Sequence, residues 1–187
     1  MKDKKLFWNE ALKAGTIVGL VSTAFALLMR PLSETEHTFW LKALNMVSWI
    51  IIVLLLYAFT RRFSKSQPAA KGFSYGRGIG FVVAAMMFVG VVNALYSSIM
   101  ANYFIKAEVL EQVDRIMVVY QDMWPDDMFE KTYAVARNAA VNPFYITFSS
   151  VLGNCFVGFL LSLVIAAITR REPDIFSEEK DNAPQDL

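Results

Sequence analysis

One cysteine and one histidine stand in a chain of 187 residues. A single cysteine, Cys155, excludes an internal disulfide and any cysteine-built metal centre. His37 lies beside Glu34 and Glu36 in a short polar turn; such a trio can hold a metal weakly, but a solvated turn is the plainer reading. A net charge of +1 removes any bulk electrostatic case for nucleic acid as a partner. Charge is missing in a more telling way. No Asp, Glu, Lys, Arg or His occurs in 14–29, 43–60, 78–105 or 138–169, and all 18 basic and 17 acidic residues lie between these runs.

These empty stretches set the class. The apolar fraction is 56% and the mean hydropathy is +0.40. About 20 apolar residues in helical form cross a hydrocarbon core about 30 Å thick. Four spans fit, at about 12–30, 39–60, 78–104 and 145–169. None carries the polar face that a buried helix of a soluble protein would need. The first is too long for a cleaved signal peptide and lacks a small-x-small cleavage pattern before Pro31. The expected architecture is all-α: a polytopic bundle of four transmembrane helices in residues 1–172.

The same absence bears on function. Ion-coupled transport and proton pumping need an ionisable group inside the membrane, and the charge-free runs hold none. Intramembrane aspartyl chemistry needs two acids there. The expectation is a protein without catalytic residues, cofactor or metal.

What charge there is falls unevenly. Arg61, Arg62, Lys65, Lys71 and Arg77 lie between spans two and three with no acid among them. Lys2, Lys4, Lys5 and Lys13 flank span one, and Arg170 and Arg171 follow span four. The segment 106–142 has four basic residues against seven acidic ones. The bias of Lys and Arg toward the cytoplasm then places both termini and the 61–77 segment inside, and the 31–38 turn and 106–142 outside. Trp8 and Trp40 fall near the interfaces, whereas Trp49 falls in mid-span, to pack inside the bundle or against lipid.

The outer segment reads as helical. Val109, Leu110, Val113, Ile116, Met117 and Tyr120 recur at helical spacing. No Gly or Pro separates them from span three, so one long helix is expected to leave the membrane. A second helix restarts with Pro125 at its first position and Asp126 and Asp127 at its positive end. Asn142-Pro143 then punctuates before span four. The result is an outer helical hairpin, either a cap on the bundle or a docking surface. Residues 173–187 read as a disordered acidic cytoplasmic tail.

The stretch YGRGIG opens span three and imitates a phosphate-cradling loop. It lacks the preceding strand and the Lys-Ser/Thr of a Walker loop, and the later acid of a dinucleotide fingerprint. In a bilayer, small residues let helices approach closely. Gly76, Gly78 and Gly80 therefore read as helix-packing residues, or as contacts to a lipid headgroup beside Lys71 and Arg77. Gly15 and Gly19, Gly90 with Ala94, and Ser149 with Gly153 are further small pairs at spacing four. Among polar residues, Asn45 and Ser48 lie in span two, and Asn93, Ser97 and Ser98 in span three. Asn93 and Ser97 share a face, as do Ser150 and Asn154. They read as interhelical glue, or as a polar site between spans three and four for a lipid head or small solute.

NEALKAGTIVGLVS, FSYGRGIGFVVAAMMFVGVVNALYSSIMANYF and SLVIAAITRRE together resemble a family of four-helix bacterial membrane proteins, domain of unknown function 4199, found mainly in Bacteroidota. The resemblance runs over about residues 8–172 and departs at Asn102-Tyr103, where the family usually has a proline. It implies an inner-membrane location and transfers no site residue. Two functional classes follow. The preferred one is a non-catalytic accessory subunit that binds a membrane-protein partner or self-associates. The alternative is a handler of a lipid or lipid-linked substrate, with Arg61, Arg62, Lys65, Lys71 and Arg77 on headgroups.

Overall fold

A computed structural model describes residues 2–33, 38–68, 71–121 and 123–174. The turn with Glu34, Glu36 and His37, and the tail from residue 175 onward, lie outside the described residues. Six α-helices follow one another: α1 (Lys2–Ser33), α2 (Thr38–Lys65), α3 (Tyr75–Ile99), α4 (Lys106–Gln121), α5 (Asp126–Val141) and α6 (Pro143–Thr169). Among the described residues no strand is formed; a single antiparallel bridge joins Phe73 to Arg171. Four stretches are long and apolar enough to cross a membrane: Lys4–Arg30, Phe39–Lys65, Tyr75–Phe104 and Pro143–Thr169.

Local chemistry explains where two of these helices start. Ser74 caps α3 by accepting a hydrogen bond from the Arg77 N–H at 3.3 Å. Asn142 caps α6 by accepting from the Phe144 N–H at 2.9 Å, with Pro143 at the first helical position, where its missing N–H leaves no bond unmade. Helix α1 does not stop at Pro31 but runs on to Ser33. A proline in a final turn sacrifices one backbone bond, and little helix remains beyond it to lose.

Helix α3 is the hub. Half of its most apolar window is buried, against 22% for each of the other three spans. It packs chiefly on α6 and α1, and glycines make both seams tight. A Cβ on Gly15 would collide with the Ala85 carbonyl oxygen and the Phe88 Cβ, and one on Gly19 would sit 2.8 Å from the Val92 Cβ. Across the other seam, a Cβ on Gly90 would lie 2.7 Å from the Val151 Cα, and one on Gly158 would lie 2.6 Å from the Met86 Cβ. This is close backbone approach, the arrangement that lets dispersion hold helices together in lipid.

Helix α2 is held at one end. Phe63 stacks on Phe81 with ring centroids 4.5 Å apart, and Phe7 and Phe73 meet Phe63 edge-on at 5.8 Å. Ser64 donates to the Thr169 carbonyl at 3.0 Å. Toward the other end the burial fades. Ser48, Ile52, Leu56 and Thr60 are buried, but no side chain from Phe39 to Val47 is.

The expected single helix through residues 100–110 is not what forms. The backbone passes through a π-helical turn at Met100–Phe104 and leaves helical geometry at Ile105 (φ −129°, ψ 26°) before α4 begins. Asn102 holds this break. Its side-chain amide donates to the Ser98 carbonyl at 3.0 Å and to the Val141 carbonyl at 2.9 Å, satisfying an acceptor left over at the end of α5. No proline is needed to interrupt the helix, because an inserted residue and a side-chain bridge do it instead.

Helices α4 and α5 pack against each other. The Tyr133 hydroxyl donates to Asp114 at 2.8 Å and accepts from Arg137 at 3.0 Å. Helix α5 begins at Asp126, with Pro125 just outside it. The apolar stripe expected on α4 is covered only in part: Met117 is buried, whereas Ile116 and Tyr120 are exposed.

Candidate functional site

The polar residues of the spans come together in a way that no single helix shows. A cavity of about 350 Å³ lies among α1, α2, α3 and α6. Its polar lining is Ser22, Asn45, Ser48, Trp49, Asn93 and Asn154, set against Met86 and Val89. Among the described residues, no ionisable side chain lines it. It starts near the middle of α3 and α6 and extends toward the end of the bundle where α2 is loose.

Its polar atoms differ in what they have left to bond. The Asn93 side-chain oxygen accepts from the Thr23 hydroxyl at 3.4 Å, which leaves its NH₂ as the remaining function. The Asn154 NH₂ donates to the Ser150 carbonyl at 2.8 Å, which leaves its oxygen. Ser48 is only 5% exposed and its hydroxyl bonds to no described residue. Trp49, 47% exposed, stands at the rim with Asn45 and Gly153.

Of the four residues singled out for an intramembrane polar site, Asn93 and Asn154 line this cavity. Ser150 instead ties α6 to α3 by donating to the Gly90 carbonyl at 3.0 Å. Ser97 lines a different cavity of about 410 Å³ beside the π-helical turn, with Arg30, Tyr96, Met100 and Glu108. Nothing in the sequence groups Ser22, Asn45, Ser48 and Trp49 with the site. Asn45 and Ser48 were visible as polar residues in an apolar run, but nothing along the chain says that they face Asn93 and Asn154.

The small residues divide into two sets. Gly15, Gly19, Gly78 and Gly90 all sit against a neighbouring helix, Gly78 with its Cβ position 2.8 Å from the Ala166 Cβ. Gly76 and Gly153 have no heavy atom within 4 Å of where a Cβ would stand, and Gly80 has only the Phe7 Cζ at 4.0 Å. Ser149 is exposed. Among the described residues, then, no helix approaches these four closely. Gly158, one of the tightest seam residues, is not among the small residues singled out from the sequence, although the buried Ser162 stands four positions further on.

The basic residues do not converge on one point. Arg77 shares a cleft with Lys4, Phe7 and Trp8, and its guanidinium lies 5.9 Å from the Phe63 ring centre. Lys71 shares another with Arg170 and Arg171. Arg61 lies over the Tyr57 ring at 5.9 Å, and Arg61, Arg62 and Lys65 are exposed on the last turns of α2. Arg171 is partly committed already: its guanidinium donates to the Gln67 carbonyl at 2.7 Å, and its backbone exchanges hydrogen bonds with Phe73. Among the described residues no group of three His, Cys, Asp or Glu side chains could hold a metal ion.

Four long apolar helices sharing one core define a multi-pass, all-helical membrane protein. Its family follows: residues 13–171 match the family described as "Protein of unknown function (DUF4199)", and the chain belongs to that family. No curated protein and no solved structure matches the chain.

Proposed function

We propose that the protein is a non-catalytic accessory subunit of a bacterial inner membrane, holding a membrane-protein partner or a second copy of itself. The observation that carries this reading is the open small-residue pair on α6. Among the described residues Ser149 is exposed and Gly153 has no neighbouring element within 4 Å of its Cβ position, while on the same helix Gly158 faces α3 and is tightly filled. An uncovered pair of small residues at spacing four in an apolar helix suits the close approach of another helix. The excess of Lys and Arg at the end with the α2–α3 connection supports both termini facing the cytoplasm.

Native mass spectrometry on particles cut directly from the producing membrane tests this. A fixed protein mass on each particle, lost in Ser149→Phe, is the expected result; monomers carrying only lipid would overturn it. Orientation is checked separately with Ser66→Cys in a Cys155→Ser background. An impermeant maleimide should label it in inside-out vesicles and not in right-side-out ones.

The second reading, a handler of lipid or lipid-linked substrate, draws on the two clefts where Arg77 and Lys71 stand beside aromatic side chains and further cations. It predicts a retained anionic lipid that disappears when Arg61, Arg62 and Arg77 are changed to Gln.

A further inference from the structure

We infer that the cavity among the four spans binds the uncharged head of a membrane-soluble amphiphile, one that carries both a hydroxyl and carbonyl oxygens. Its apolar tail would leave between α2 and α6 into the bilayer. The two readings share Gly153, which lies at the cavity rim and in the open pair on α6, so Ser149→Phe tests the subunit reading alone and Asn93→Leu tests the cavity alone.

Four observations converge on it. The first is size: about 350 Å³ falls in the range of clefts that hold small ligands. The second is unmet hydrogen bonding. Ser48, 5% exposed, turns a hydroxyl with no partner among the described residues toward the cavity. The Trp49 indole N–H and the Asn45 amide at the rim also bond to no described side chain or backbone group. In hydrocarbon, where no bulk water compensates, each such group is costly to leave bare.

The third observation is the pattern of what remains. Asn93 has its NH₂ to give, and Asn154 has its oxygen to receive. With the Trp49 N–H, the lining wants several acceptors and at least one donor. A lipid head with ester carbonyls and a free hydroxyl supplies both. A phosphate or an ammonium head does not fit, because among the described residues no counter-charge lines the cavity.

The fourth is Gly153. On the seam that α6 forms with α3, glycines are buried under neighbours: a Cβ on Gly158 would meet Met86, and one on Gly90 would meet Val151. Gly153 serves no such contact and borders empty space at the cavity rim. A glycine inside a helix lowers its stability by roughly 0.5–1 kcal/mol relative to alanine. Here its lack of a side chain keeps the cavity open. The exit follows from α2, which is anchored by Phe63 and Ser64 at one end and unburied from Phe39 to Val47 at the other.

The test uses the full-length protein in nanodiscs with two uncharged probes, dioctanoylglycerol and a long-chain prenol. Dioctanoyl phosphatidate, with the same tails and a charged head, is the comparison. Native mass spectrometry reads a one-to-one adduct on the unaltered chain. In a variant with Trp8, Trp40 and Trp124 changed to Phe, the emission of Trp49 reads saturation. A Cβ at Gly153 meets no neighbouring element within 4 Å, so Gly153→Leu, whose side chain reaches into the cavity, should weaken the uncharged probe by about tenfold or more while leaving the thermal midpoint unlowered. Asn93→Leu should weaken it as well.

Preference for dioctanoylglycerol, which carries both a hydroxyl and ester carbonyls, is the expected result; preference for the prenol, which has no carbonyl, would overturn the assigned head. No saturable binding of either would leave the cavity to water and overturn the proposal. So would equal binding of the phosphatidate, or binding that Gly153→Leu does not change. A lost protein mass in Ser149→Phe with this result intact would concern only the subunit reading.

Discussion

Ser150 donates its hydroxyl to the Gly90 carbonyl across the α3–α6 seam at 3.0 Å, at the level where a Cβ on Gly90 would come within 2.7 Å of the Val151 backbone. The hydrogen bond and the missing side chain depend on each other. Only a glycine brings the two backbones close enough for a serine to reach across.

Gly90→Ala should therefore cost about 1–3 kcal/mol by overpacking, since a backbone atom cannot yield as a flexible side chain can. Gly80→Ala is the control. Its Cβ meets only the Phe7 Cζ at 4.0 Å, and relief of a mid-helix glycine should add roughly 0.5–1 kcal/mol. Reversible unfolding in mixed micelles of rising denaturant content measures both.

Phe63→Ala should release α2. Phe63 is 2% exposed and contacts Phe7, Phe73 and Phe81, so its loss should cost about 3–5 kcal/mol. Hydrogen exchange should rise along the half of α2 nearer Lys65, while the α3–α6 seam keeps its protection. Unchanged exchange in α2 would mean that the aromatic cluster is not its anchor.

Gly72→Ala should loosen the link between the α2–α3 connection and the end of α6. Gly72 has φ +60°, and a Cβ there would lie 2.7 Å from the Arg171 carbonyl oxygen. A non-glycine residue held in that conformation costs on the order of 1–3 kcal/mol. Limited trypsin digestion should cut after Arg170 and Arg171 faster in the variant, with the spans intact.

Asn102→Ala should free the α4/α5 pair without disturbing α3. It removes two side-chain hydrogen bonds, each with a net value of about 0.5–1.5 kcal/mol. Exchange should accelerate over residues 106–141 and remain unchanged over Tyr75–Ile99.

Much of the fold is legible along the chain. Four charge-free runs mark four long helices to within a few residues at most ends, because hydrocarbon tolerates neither charge nor unpaired backbone. The start of α1 is the exception: the apolar run says where lipid begins, not where a helix does. The break at Ile105 was hidden for a related reason. A π-helical turn needs no Gly or Pro, and the residue that holds it, Asn102, works through a carbonyl 39 positions away.

By itself, then, the sequence determines the solvent, the number of spans, the family and most of the tight glycines, since these depend on local composition and on spacing within one helix. Only the tertiary structure decides the site. Ser22, Asn45, Ser48, Asn93 and Asn154 come from four different helices, and they line one cavity because α3 draws α1 and α6 close while α2 is fastened at one end only. Which glycine closes a seam and which leaves space, Gly90 or Gly153, depends on the neighbour that each helix meets, and helical spacing carries no record of that neighbour.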